Sequence, residues 1–142
     1  MSLRVEALTG ANIAAYLGDV ARLRIEVFRD YPYLYDGDLD YEQRYLAAFA
    51  ASRDGVIVAA FDGEEIVGAS TAAPLSGQPE AIAAPFRARS LDLSRYFYFG
   101  ESVLRGDFRG QGIGVRFLRI ARSACMRTRR LARDLLCCGS CG

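Results

Sequence analysis

A chain of 142 residues with 51% hydrophobic and 25% charged residues has the size and composition of one globular domain, and residues 1–142 are read as a single unit. It contains no histidine, and all 18 basic residues are arginine. Imidazole-based nucleophilic catalysis, histidine zinc sites, lysine Schiff bases and the lysine-dependent P-loop are therefore excluded. The net charge is +1, yet residues 1–100 hold 9 arginines against 14 acids while residues 101–142 hold 9 against 3. A phosphate-bearing ligand is expected to favour that basic final third, although a solvated helix face gives the same charge pattern.

No apolar run approaches the ~18 residues of a membrane span, and the N-terminus lacks the basic-then-apolar order of a secretory signal. A cytoplasmic protein with no membrane partner is expected. Cys125, Cys137, Cys138 and Cys141 crowd the last stretch, but adjacent Cys137-Cys138 is not the usual paired C-x-x-C spacing and no second pair stands at a finger-like distance, so they read as free thiols in a reducing compartment, with no metal.

In chain order, Leu3 to Leu8 reads as a short strand, after which Thr9 or Asn12 caps a helix. Ile13, Tyr16, Leu17, Val20, Leu23, Val27 and Phe28 give that helix one apolar face. The pattern breaks at Asp30-Tyr31-Pro32, and Tyr31 to Gly37 reads as an aromatic loop. A second helix starts near Asp40, with Gln43 completing a capping box, carries Tyr45, Leu46 and Phe49 inward, and ends near Ser52. Val56 to Phe61 and Ile66 to Ala73 form a hairpin with its turn at Asp62-Gly63. A loop marked by Pro74, Gly77 and Pro79 follows, then a short helix interrupted at Pro85. Tyr96 to Leu104 is the clearest strand. From Gln111 a long helix carries Ile113, Phe117, Ile120, Ala124 and Leu131 on one stripe, and Leu135 to Cys138 begins a last strand.

The chemistry lies between Val103 and Phe117. A strand ends, a glycine-containing loop turns, and an amphipathic helix begins. The first turn of a helix presents unpaired N–H groups and the positive end of the helix dipole, which suits phosphate or pyrophosphate. Gly110, Gly112 and Gly114 remove side chains that would obstruct an anion; equally, they would permit a helix to pack closely on a sheet. Two rival phosphate motifs fail. The P-loop needs a lysine, and the dinucleotide fingerprint needs G-x-G-x-x-G in the first strand–helix unit with an acid ~20 residues later, whereas here the sixth position from Gly110 is Val115.

The run Arg109-Gly110-Gln111-Gly112-Ile113-Gly114 resembles the R/Q-x-x-G-x-G/A signature of the GNAT superfamily of acyl-CoA-dependent N-acyltransferases. The preceding strand and the hairpin around Phe61-Asp62-Gly63-Glu64-Glu65-Ile66-Val67-Gly68 also look like that family, and the likeness in element order runs from residue 3 to about residue 138. The resemblance implies an α/β three-layer fold, a central mixed and mostly antiparallel sheet flanked by helices. It implies that Arg109, Gly110, Gln111, Gly112, Ile113 and Gly114 hold the pyrophosphate of acetyl-CoA through their backbone, and that Ser102, Val103 and Leu104 bond its pantetheine arm. A bulge opening the strand is part of the same pattern. An amine, on a small molecule or a protein, then attacks the thioester directly.

A carboxylate can take the proton the amine loses, and Glu101 is the candidate, with a salt-bridged or solvent-facing glutamate as the plain alternative. Strand alternation puts Tyr98, the second candidate, on the opposite face unless a bulge resets it. The aromatic loop, with Asp30 and Asp36, resembles the family's acceptor-shaping region and also reads as a packed helix connection.

The family pattern continues after its third helix with a fifth strand, a fourth helix and further strands, whereas 28 residues follow Gly114 here. A C-terminally incomplete member is expected, without the wall beyond the pantetheine slot and without a late tyrosine to protonate the departing thiolate, since no tyrosine follows Tyr98. Such an ending makes a catalytically silent acyl-CoA-binding or assembly module the alternative to an N-acetyltransferase. Nucleic-acid binding through the arginine-rich helix is disfavoured by the acidic first 100 residues and the lack of an aromatic-interleaved basic patch. An unfinished sheet edge points to homodimerisation.

Overall fold

The computed structural model of the chain describes residues 3–29, 34, 36–51, 55–75, 80–93, 96–128 and 134–137. Within them the order is β1 (Leu3–Thr9), α1 (Ala11–Arg29), α2 (Leu39–Ala51), β2 (Val56–Asp62), β3 (Glu65–Pro74), α3 (Glu80–Ala88), β4 (Tyr96–Leu104), α4 (Ile113–Thr128) and β5 (Asp134–Cys137). The strands form one sheet in the order β1-β2-β3-β4-β5. The first four are antiparallel, and β5 lies parallel to β4, so β4, α4 and β5 make a β–α–β unit. This is the three-layer, mixed and mostly antiparallel arrangement expected from the sequence.

β2 shows why both faces of the sheet are covered. Val56 to Phe61 is buried throughout, because alternate residues enter two different cores. Ile57, Ala59 and Phe61 pack with Ile13, Val20 and Leu23 of α1 and Leu46 and Phe49 of α2. Val56, Val58 and Ala60 pack on the other face with Ile113, Phe117 and Ala121 of α4. Tyr16 meets Phe61 edge to face at 5.4 Å, locking α1 onto the sheet.

Several boundaries differ from expectation for local reasons. α1 starts on backbone geometry: Gly10, at φ +53°, has its carbonyl accept the N–H groups of Ile13 and Ala14. Thr9 therefore closes β1, and Asn12 lies inside the first turn. α2 is capped by Asp38, whose Oδ1 accepts the Asp40 N–H at 3.1 Å and whose carbonyl accepts the Glu42 N–H at 3.0 Å, so the cap stands two residues before Asp40. The hairpin turn is Gly63-Glu64, with Gly63 at φ +64°. α3 runs through Pro85, which removes one helical hydrogen bond close to the helix end. α4 begins at Ile113, after a 3-10 turn at Gly106–Phe108. Asp30, Tyr31 to Tyr33, Tyr35, Leu131, Cys138 and Cys141 lie outside the described residues. Among those described, no helix is long and apolar enough to cross a membrane, and no cluster of three His, Cys, Asp or Glu residues is arranged to hold a metal.

Candidate functional site

The register between β3 and β4 slips once. Ser70 faces Ser102 and Ala72 faces Phe99, so Gly100 and Glu101 together stand against Thr71. This is a bulge, and Thr71 holds it by accepting the Glu101 N–H on Oγ1 at 3.3 Å. A Cβ at Gly100 would come within 2.6 Å of that same oxygen. The bulge reverses the strand's faces. Phe99 belongs to the α4 core and Val103 to the α1–α2 core, although four residues apart on a regular strand they would share a face. Tyr98, opposite Ala73, and Glu101, reaching α1, consequently lie on the same face.

β5 accompanies β4 only from Tyr96 to Phe99. This short strand stands where a last strand from Leu135 was expected, beginning one residue earlier, at Asp134. From Gly100 to Leu104 that edge of β4 has no strand neighbour among the described residues.

Glu101 is held from the helix side. Its Oε1 forms an ion pair with Arg24 Nη1, and both atoms are buried with no hydrogen-bond partner beyond this pair among the described residues. Arg24 also donates from Nε to Glu42 Oε2 at 2.5 Å. Its guanidinium lies 4.6 Å from the Tyr45 ring centre and 5.3 Å from that of Phe28. Burial pushes the Tyr45 phenol above its ordinary value of 10.0, against the opposing field of Arg24. Arg24 and Glu42 are 7% and 1% exposed, whereas the Glu101 side chain retains 20% exposure.

Where β4 ends, Arg105 ties three elements together. It bonds Glu65 of β3 at 2.7 Å and Glu26 of α1 at 3.0 and 3.1 Å, and its N–H reaches the Val67 carbonyl. The Glu65 bond above all raises the Arg105 guanidinium above its ordinary value. Arg109, in the loop beyond, turns back so that its Nε donates to the Leu104 carbonyl at 3.2 Å.

Gly110 and Gly112 adopt φ +80° and +77°, a region that L side chains rarely occupy. A Cβ placed at Gly110, Gly112 or Gly114 would have nothing within 4 Å. These glycines are not there to let the helix approach the sheet; they face open space. The first bond of α4 runs from the Arg116 N–H to the Gly112 carbonyl, so the N–H groups of Ile113, Gly114 and Val115 precede the helical ladder. Ile113 itself is 1% exposed and anchors this turn in the α4 core.

A cavity of about 350 Å3 connects the two features. Ser70, Phe99, Glu101 and Ser102 line it from the sheet, and Gly114, Leu118 and Ala121 line it from α4. Among the residues singled out in the sequence, it brings together Glu101, Ser102 and Gly114. Tyr98 does not line it, and Val103 packs its side chain into the α1–α2 core, leaving its main chain as the group available to a ligand. A depression of about 470 Å3 between α1 and α2, lined by Gly18, Asp40, Gln43 and Arg44 among others, touches none of them.

Sequence reasoning missed Arg24, Glu42 and Thr71. The signal for two of them was present: Arg24 falls between Val20 and Phe28 on the apolar stripe of α1, and Glu42 falls four residues before Leu46 on that of α2. A charge at a core position of each of two adjacent helices calls for a partner.

No protein-family model matches the chain, and no curated protein matches it in sequence. Solved structures match in fold. The aminoglycoside N-acetyltransferase AAC(6')-Iy in complex with CoA superimposes with a TM-score of 0.67 at 11% identity, covering 99% of this chain and 78% of that one. Ribosomal-protein-alanine N-acetyltransferase from Brucella melitensis biovar Abortus 2308 gives 0.61 at 14% identity, covering 99% and 82%. An aminoglycoside acetyltransferase from an uncultured soil metagenomic sample gives 0.61 at 20% identity, covering 100% and 82%. The fold of this chain is that of the GNAT-type acetyltransferases.

Proposed function

We propose that this chain, with the GNAT fold as its frame, binds acetyl-CoA and transfers the acetyl group directly to an amine. The observation that carries the reading is a cavity lined both by Gly114, at the start of α4, and by Glu101 at the bulge. The N–H groups from Ile113 to Val115 suit a pyrophosphate, and the open glycines leave it room. The edge of β4 from Gly100 to Leu104, without a second strand neighbour among the described residues, would offer main-chain groups to the pantetheine arm. Bound there, acetyl-CoA supplies an activated acyl carbon and a thiolate leaving group. Glu101 accepts the proton that the amine loses as its nitrogen bonds to that carbon. Glu101 is among the residues lining the cavity and Tyr98 is not; the Glu101 side chain, drawn toward Arg24, keeps 20% exposure, which supports Glu101 for this role. The matched structures include enzymes for aminoglycosides and for a ribosomal protein's alanine, and a small-molecule or protein amine is the acceptor class proposed here.

Calorimetric titration with acetyl-CoA tests the reading. Saturable binding is expected for the native chain, together with its loss in Gly114→Asp at unchanged Tm. Gly114 is the position of choice because it is helical and open, whereas a side chain at Gly112 would strain the backbone whatever it did to a ligand. Absence of binding by the native chain at millimolar acetyl-CoA would overturn the proposal. The Arg24–Glu101 ion pair, which engages the candidate base, favours a second reading, a silent acyl-CoA-binding module. Acetyl transfer to any member of a broad amine panel disposes of that alternative.

A further inference from the structure

We infer that Arg24 is a positioning residue that sets the Glu101 carboxylate at the bulge, with Glu42 as the group that makes this arrangement workable. The inference rests on Glu101 being the proton acceptor.

Three constraints fix the Arg24 guanidinium: the Nε bond to Glu42 on α2 and the rings of Tyr45 and Phe28. A guanidinium is a planar fork, so fixing one edge and one face determines where the remaining nitrogens point. Nη1 points at Glu101. The helix pair thereby dictates the orientation of a carboxylate whose backbone belongs to the sheet.

Stability alone does not account for the third member. Glu42, 1% exposed, is a sufficient counter-charge for Arg24, and Glu101, whose side chain keeps 20% exposure, brings the formal charge of these three groups to −1. Proton transfer explains the surplus. When the amine nitrogen forms its bond to the acyl carbon and gives its proton to Glu101, the set passes from −1 to 0. Arg24 then remains paired with Glu42. Without Glu42, protonating Glu101 would strand a buried cation, so Glu42 allows the proton to arrive without breaking the compensation of Arg24.

The test is a double-mutant cycle that reads kcat, KM, acetyl-CoA Kd and Tm. Glu101→Gln is one arm. The other replaces the pair by apolar residues, Arg24→Met with Glu42→Leu, because a buried ion pair replaced on both sides keeps the fold better than one broken on one side. Each arm is expected to lower kcat by about 100-fold with Kd for acetyl-CoA unchanged. In the Glu101→Gln background the pair replacement should cause no further loss, since its effect acts through Glu101. An equal loss of kcat in both backgrounds marks a structural role and overturns the inference, as does wild-type kcat in the pair replacement. Wild-type kcat in Glu101→Gln removes the proton-acceptor reading itself, and that arm alone reports it. Should the pair replacement fail to fold, Glu42→Gln takes its place. It retains an acceptor for Arg24 Nε and should lower kcat only while Glu101 is a carboxylate; an equal loss in the Glu101→Gln background counts against the inference.

Discussion

Gly68 and Gly114 are chemically identical residues in opposite surroundings. At Gly68, in the middle of the sheet, a Cβ would meet Leu104 Cδ1 at 2.7 Å, Phe117 Cζ at 3.0 Å and the Val103 carbonyl at 3.2 Å. At Gly114, at the start of α4, it would meet nothing within 4 Å. The first glycine is explained by the protein's own packing; the second leaves room that the protein does not use. The same division separates the two faces of the sheet. Under α1 and α2 Arg24 is engaged by Glu42 and Glu101, whereas beside α4 donors and volume are left open. A residue that the fold's own contacts do not explain is the better guide to a ligand.

Substitutions can widen or close that gap. Phe117→Ala should have the largest effect, about 3–5 kcal/mol of stability, because it removes a ring 1% exposed that closes over Gly68. Denaturant unfolding measures it, and a small loss would mean that α4 is not fixed by this contact. Gly114→Asp comes next, weakening acetyl-CoA by about 2–3 kcal/mol, roughly 100-fold, through like-charge repulsion, while thermal unfolding stays within a degree or so of the native chain. A fall in Tm of the size seen at Gly68 would erase the distinction between the two positions. Gly68→Ala should then lose about 1–3 kcal/mol of stability, since the Val103 carbonyl cannot move aside. The residual protein should bind acetyl-CoA with native affinity.

Tyr45→Phe is the finest test and concerns the helix-covered face. Folding holds the Tyr45 proton above its ordinary value of 10.0, so the unfolded chain releases that proton first as pH rises. The contribution is therefore complete below about pH 10 and is lost as pH climbs through the folded value. Unfolding curves across the alkaline range should show a shallower decline in Tyr45→Phe than in the native chain. An unchanged slope would mean that burial at Tyr45 is not the cause.

Much of this was legible in the sequence. Aromatic density located β4 from Tyr96 to Leu104, and helical periodicity located the apolar stripe of α1, because such residues suit a strand and one buried face fixes the helix. The signature from Arg109 to Gly114 located the loop, though the residues alone left open whether its glycines served packing or a ligand. That question needed the surrounding space. A bulge was implied by the resemblance and entered the reading of Glu101 as a condition on its face, but its position was not legible, since it depends on Thr71, thirty residues away in sequence. Caps were missed where backbone carbonyls, as at Gly10, or an earlier side chain, Asp38, did the work expected of Thr9, Asn12 or Asp40. The partner of Glu101 was missed because an arginine on an apolar stripe shows that it needs a carboxylate without showing which one.

Beyond Phe99, β4 has no second strand neighbour among the described residues, and on the proposed reading this stretch serves as a ruler. From Leu104 back to Gly100 it measures about 13 Å, at ~3.3 Å per residue. One end lies near the helix start that suits the phosphates, and the other lies at the carboxylate. On the proposed reading a donor is selected for the length of its arm as well as for its charge: the phosphates would set the zero of the scale, and the thioester would have to fall at the far mark. An acetyl donor with a shortened arm should still bind through its phosphates, yet present its acyl carbon short of Glu101 and transfer slowly. Equal kcat for long-armed and short-armed donors would show that the edge is not read as a distance.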